Sequence, residues 1–120
     1  MTGLEDGPRL KALKRTTYLL LCAGFQPRQI GYRYLREAVW ISYKEPEILK
    51  SVTKRLYPEV AKRFETTDKQ VERAIRSAIE TAWTKGNCDT LVLIFGDLFV
   101  DRSVRPTNSE IIKILVDNIF

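Results

Sequence analysis

At 120 residues, with 44% apolar and 29% charged side chains, the chain has the composition of one folded domain and not of a disordered segment. Two cysteines and no histidine exclude a four-ligand zinc site, and the longest apolar run, residues 19–23, falls far short of the ~20 residues of a membrane span. The formal net charge of +5 favours a polyanionic partner such as nucleic acid.

In chain order, residues 1–8 hold two glycines, a proline, Glu5 and Asp6, so they read as a flexible lead-in and not as a signal peptide. A single domain is expected over residues 9–120. From Arg9, Leu10, Leu13, Thr17, Leu20 and Leu21 recur at helical spacing, and Gly24 stands where a helix commonly stops. After a loop around Pro27, a second helix is predicted over residues 31–43, burying Tyr34 or Leu35, then Ala38, Val39 and Ser42. Pro46 opens a third, with Ile48, Leu49, Val52 and Leu56 as its apolar face. Pro58 interrupts that pattern, because its ring clashes with the carbonyl four residues back; a break is expected there, with a short helix to Phe64 burying Val60, Ala61 and Phe64.

Glu65, Thr66 and Thr67 form a turn, and Thr67 with Gln70 makes a T-x-x-Q capping box for the most regular helix of the chain, residues 68–85. Val71, Ala74, Ile75, Ala78, Ile79, Ala82 and Trp83 recur there at i, i+3, i+4 and onward. Gly86 ends it. Residues 89–95 read as one or two helical turns, followed by an irregular stretch to Pro106. Thr107 with Glu110 caps a final helix carrying Ile111, Ile112, Leu115, Val116 and Ile119. The expected fold is all-α, about six helices, with no persistent strand pattern. Cys22 and Cys88 fall on apolar stripes, which predicts reduced, buried thiols in a cytoplasmic protein.

The helix pair around residues 65–67 carries the functional signal. A helix-turn-helix needs a short helix, a tight turn and a second helix with one bare polar face, a role like that of a winged helix but here without strands. The second helix presents Lys69, Glu72, Arg73, Arg76, Ser77 and Glu80 outward. Arginine can pair bidentately with a guanine edge, and glutamate can accept from the cytosine amino group. Lys62, Arg63, Lys69 and Lys85 flank the pair and suit phosphates, and residues 54–85 hold eight basic against five acidic side chains. The plainer alternative is a solvated face in which Glu72–Arg76 and Arg76–Glu80 form i,i+4 ion pairs. No histidine, Gly-rich phosphate loop or cysteine–base pair points to an enzyme, a metal or a cofactor.

The strings GYRYLREA at 31–38, LYPEVAKRF at 56–64, Thr66-Thr67, VERAIR at 71–76, Ala82-Trp83 and RPTNSE at 105–110, in this order, resemble the C-terminal effector-domain family of stage zero sporulation protein A, a response regulator of Gram-positive bacteria. The resemblance spans about residues 11–120. It implies sequence-specific binding of double-stranded DNA at a TGTCGAA-like box, with transcription activated or repressed. By position, Glu72, Arg73 and Arg76 match the family's DNA-facing residues, with Gln70 and Ser77 beside them where arginine and histidine are expected. Thr67 joins the phosphate-facing set. The stretch 86–99 aligns with the family's surface for the RNA polymerase sigma subunit, making Gly86, Asp89, Thr90, Phe95 and Phe99 contact candidates; core packing is the alternative for its apolar members. The family carries an N-terminal phosphoacceptor receiver, and no aspartate here takes that role. Two copies of the effector can associate on tandem boxes, with Ile119 and Phe120 of the last helix as the candidate surface; the alternative is that both residues complete the core. The competing function is a helical protein-interaction module that does not read DNA.

Overall fold

A computed structural model describes the backbone of residues 3–119 and the side chains of residues 7–119 apart from Asp97. Among the described residues the fold is all-helical, with no strand: α1 (Gly3–Ala23), α2 (Ile30–Lys44), α3 (Tyr57–Arg63), α4 (Asp68–Lys85), α5 (Cys88–Phe95) and α6 (Asn108–Asp117). The expected six-helix, all-α architecture is what the chain adopts. Phe120, half of the candidate association surface, lies outside the described residues.

Helix α1 starts at Gly3, not at Arg9, and contains Pro8. Close to a helix start, a proline deletes one backbone bond at most, so the turn survives it. The buried stripe of α1 also differs from the expected one. Ala12, Thr16, Leu19, Leu20 and Ala23 face inward, while Leu10 and Leu21 are about half exposed. Thr16 is tolerated inside because its hydroxyl donates to the Ala12 carbonyl at 2.7 Å. Helix α1 ends with Gly24 at φ +93, where Phe25 N donates to Leu20 O and Gly24 N to Leu21 O, the left-handed stop that glycine allows. Cys22 and Cys88 are reduced, as expected, but exposed.

Helix α2 runs through the centre, in contact with α1, α3, α4 and α6, and is buried from Gly31 to Ser42 apart from Arg33 and Arg36. The stretch after Pro46 is not a regular third helix. Residues Pro46–Ser51 are wound as 3₁₀ and Val52–Leu56 as a π turn, leading straight into α3. Tight winding followed by loose winding keeps Ile48, Val52 and Leu56 pointed inward, and it puts Pro58 in the first turn of α3, where its missing N–H has no partner to lose.

The side chain of Glu37 (8% exposed) enters this core from α2. Arg9 of α1 grips it with two bonds of 2.7 and 3.0 Å, and Arg63 of α3 donates at 2.6 Å. Burial by itself would push the carboxyl pKa up, but the two guanidinium groups prevail and hold it below its ordinary 4.5. A carboxylate whose folded pKa is depressed stabilises the fold above its ordinary value and loses that contribution as pH falls through the folded one. Glu37→Gln should therefore cost about 2–3 kcal/mol at neutral pH, below the usual figure for a broken buried pair because both arginines are about a third exposed. Urea melts of both proteins at about pH 7 and about pH 3 check this: the gap should narrow in acid, and a gap independent of pH refutes the assignment.

Candidate nucleic-acid interface

Helix α3 ends in a tight turn. Phe64 N donates to Val60 O and Ala61 O, Thr66 N reaches back to Ala61 O at 3.0 Å, and Glu65 between them takes φ 53. Glutamate here fills the left-handed place that glycine usually takes, at a cost of about 1 kcal/mol. Thr67 then caps α4, its hydroxyl accepting from Gln70 N at 3.2 Å. Only this half of the expected capping box forms, and Asp68 supplies a second acceptor, for Lys69 N. The recognition-helix candidate therefore begins at Asp68 and ends at Lys85, as its periodicity predicts.

The inner face of α4 buries Val71, Ile75, Ala78, Ile79, Ala82 and Trp83 against α2, α3 and α6. With 100° per residue, the outer face centres on Arg73, with Lys69, Gln70, Arg76, Ser77, Glu80 and Thr84 within about 60° of it. All seven are exposed. Arg73 has no ion pair or hydrogen bond to another side chain among the described residues. Arg76 does: its guanidinium donates to Glu72 at 2.7 Å, the i,i+4 pairing anticipated as the plainer alternative. Glu72 lies at the margin, about 100° from Arg73, where Asn108 of α6 donates to its backbone carbonyl at 3.1 Å and to the Tyr57 hydroxyl at 3.0 Å. Burial, with the charge of Glu72, raises the Tyr57 phenol pKa above its ordinary value. Asn108 thus locks the start of α6 to the second turn of α4.

The other margin is formed by the loop between α1 and α2. Gln29 donates to the Thr81 hydroxyl at 3.1 Å, and Gln26, Arg28, Thr81 and Lys85 line a recess of about 230 Å³ there. Arg102 closes the far end of α4, donating to the carbonyls of Trp83, Thr84 and Gly86 at 2.8–3.0 Å. A guanidinium on the last carbonyls satisfies them and opposes the negative end of the helix dipole. Arg28, Arg102 and Asn108 escape helical-periodicity analysis because they lie in loops or at a cap; for Asn108 the RPTNSE string is the signal.

Of the phosphate-facing candidates, Lys62, Lys69, Thr67 and Lys85 are exposed. Arg63 is placed differently. It is committed to Glu37, with Glu59 at 4.0 Å, and so serves the core. The candidates on 86–99 also divide. Phe95 and Phe99 are buried, their rings 5.2 and 5.5 Å from Trp83, so neither is a surface contact, and Gly86 is buried against Ala23. Thr90 is half-buried, its N–H bonded to the Asn87 cap, while Asp89 remains exposed beside Val92 and Leu93, the latter 84% exposed. Ile119, just past the end of α6, completes the core at 1% exposure and so is not an uncovered apolar residue. Among the described residues no carboxylate, thiol and imidazole group forms a metal cluster, and no helix is long and apolar enough to cross a membrane.

A short helix, a tight turn and a longer helix with an exposed polar face, braced on both margins, define the helix-turn-helix class of DNA-binding effector domains. The family model described as "Sporulation initiation factor Spo0A C terminal" matches residues 16–119. The chain belongs to that family, the DNA-binding effector domain of a sporulation response regulator, and its function is DNA binding in transcription regulation.

Proposed function

We propose that the domain reads a TGTCGAA-like box in the major groove with α4, and that Arg73 is its principal base-reading residue. The observation that carries this is the contrast between the two arginines: Arg73 stands exposed and unpaired at the centre of the free face, while Arg76 is held by Glu72. A guanidinium without an internal partner gives up only water to grip guanine O6 and N7; Arg76 must also open an ion pair. Arg76 and Glu72 act as a unit at the margin, and Gln70 and Ser77 adjust preference at neighbouring base pairs. Lys62, Lys69, Lys85 and the Thr67 turn face phosphates, with Arg28 added from the loop before α2. The setting is cytoplasmic.

Arg73→Ala should lose about 1–3 kcal/mol of discrimination, confined to one G·C pair of the box. Lys62→Ala or Lys85→Ala should instead weaken all duplexes alike and flatten the salt slope by about one. Fluorescence titrations on the box and its single-substitution variants decide. A uniform loss across duplexes for Arg73→Ala refutes the assignment, and weak binding of both box and scrambled duplexes at two salt concentrations favours the protein-interaction reading.

Contact with the RNA polymerase sigma subunit is proposed at Asp89, Val92 and Leu93, on the strength of their exposure on α5. Leu93→Asp should abolish activation in a purified transcription assay with box affinity unchanged, and normal activation ends the proposal. Pairing on tandem boxes is retained without a role for Ile119; equal per-site affinity on one-box and two-box duplexes removes it.

A further inference from the structure

Glu37 and its arginines form the wall of a pocket of about 320 Å³ between α1, α2 and the end of α3. Four guanidinium groups, from Arg9, Arg33, Arg36 and Arg63, line it with this one carboxylate. Both Glu37 oxygens are used by Arg9 and Arg63, so no carboxylate among the lining residues remains for Arg33 and Arg36. Each of these two is nevertheless held in place. Arg33 lies over the Phe64 ring, 5.5 Å from its centroid, with no hydrogen bond or ion pair among the described residues. Arg36 lies over Tyr32 at 5.2 Å and donates one Nη1 bond of 3.1 Å to the Thr17 hydroxyl, while its Nε is shielded from solvent and meets no acceptor.

A structural role explains Arg9 and Arg63. It does not explain two further guanidinium groups beside them, which repel the first two and carry a buried donor without an acceptor. The aromatic contacts hold both guanidinium groups at the pocket wall without using their N–H donors, and a guanidinium fork suits a tetrahedral oxyanion. We propose that this pocket binds the phosphate group of a small phosphorylated ligand, with Arg33 and Arg36 as its principal donors and Arg63 at its edge.

DNA held by α4 is not the source of that phosphate. Gly31 lies on the face of α2 that packs against α4, where a Cβ would lie 2.0 Å from Ala74 O. Arg33 and Glu37 follow it by two and six residues, which at 100° each puts them on the opposite side of α2. The pocket is lined from α1, α2 and the end of α3, and by no residue of the recognition helix. The site is tested separately from the DNA reading, and its occupancy would be felt by α4 through α2 and through the end of α3, whose Arg63 and Phe64 line the pocket and lead into the turn before α4.

The test uses the arginine Nε–H resonances of the whole chain in a phosphate-free buffer, titrated with inorganic phosphate and with glycerol phosphate. Sodium chloride at matched ionic strength is the control. Saturable shifts of the Arg33 and Arg36 signals with both phosphates, absent with chloride, are expected. Arg33→Gln, a surface change that leaves the Glu37 cluster intact, should weaken phosphate binding at least about tenfold, the worth of one charge-assisted bond, with box-duplex affinity unchanged. Arg36→Gln should do the same where it folds. Linear shifts shared with chloride, or unaltered phosphate affinity in Arg33→Gln, overturn the site. Loss of affinity for all duplexes in Arg33→Gln would move the phosphate to the DNA backbone and overturn the small-ligand assignment, as would binding of a polyglutamate peptide without binding of phosphate.

Discussion

Gly31→Ala should destabilise the domain by about 3 kcal/mol, even though alanine is the better helix former by nearly 1 kcal/mol. The added Cβ would meet Ala74 O at 2.0 Å and Ala74 C at 2.6 Å, and the Ala78 methyl at 3.1 Å. The first two are backbone atoms of α4, so no side chain can rotate out of the way. Relief requires α2 and α4 to separate by more than an ångström along their main contact, which opens voids between the interior faces of both. The same displacement shifts the recognition helix relative to α3 and to the brace at Asn108. Box affinity and discrimination should therefore fall at temperatures where circular dichroism still reports a folded helix bundle. Urea midpoints and duplex titrations on the one variant measure both effects. A stable Gly31→Ala protein with wild-type discrimination would show that α2 does not set the position of α4.

Helix α4 was legible in the sequence at both ends because several local signals agree: an uninterrupted apolar stripe, Thr67 before it and Gly86 after it. Helix α1 was legible as a helix but not as a face. Its largest apolar residues, Leu10 and Leu21, mark one stripe, yet packing selects the side with Ala12 and Thr16, where small side chains permit close approach. The stretch from Pro46 to Leu56 concealed its winding, since apolar residues four apart suit an α-helix and also a tight turn followed by a loose one. Non-local chemistry was the least visible. Nothing near Arg63 in the chain reveals that it meets a carboxylate 26 residues away, and the roles of Phe95 and Phe99 are decided by Trp83. At the interface, residue types identified the basic face; the split between a free Arg73 and a held Arg76 needed the geometry.

Ile75→Ala should cost roughly 2–5 kcal/mol, because the side chain is fully buried and its removal leaves a cavity that a helix packed on three sides cannot close. Ile75 sits on the inner face of α4, one residue from Ala74, whose backbone packs tightly on Gly31 of α2. With the backbone already in contact there, α2 and α4 cannot move nearer to fill the space, which places the effect in the upper part of that range. Ile75→Val removes one methyl and should cost only about 0.5–1.5 kcal/mol. Denaturant midpoints should fall in that order with the slopes unchanged, since neither variant alters the surface exposed on unfolding appreciably. Arg73 points away from this core, so the folded fraction of Ile75→Val should keep wild-type base discrimination. Loss of discrimination in the valine variant would mean that core packing, and not the free guanidinium, governs how α4 reads DNA.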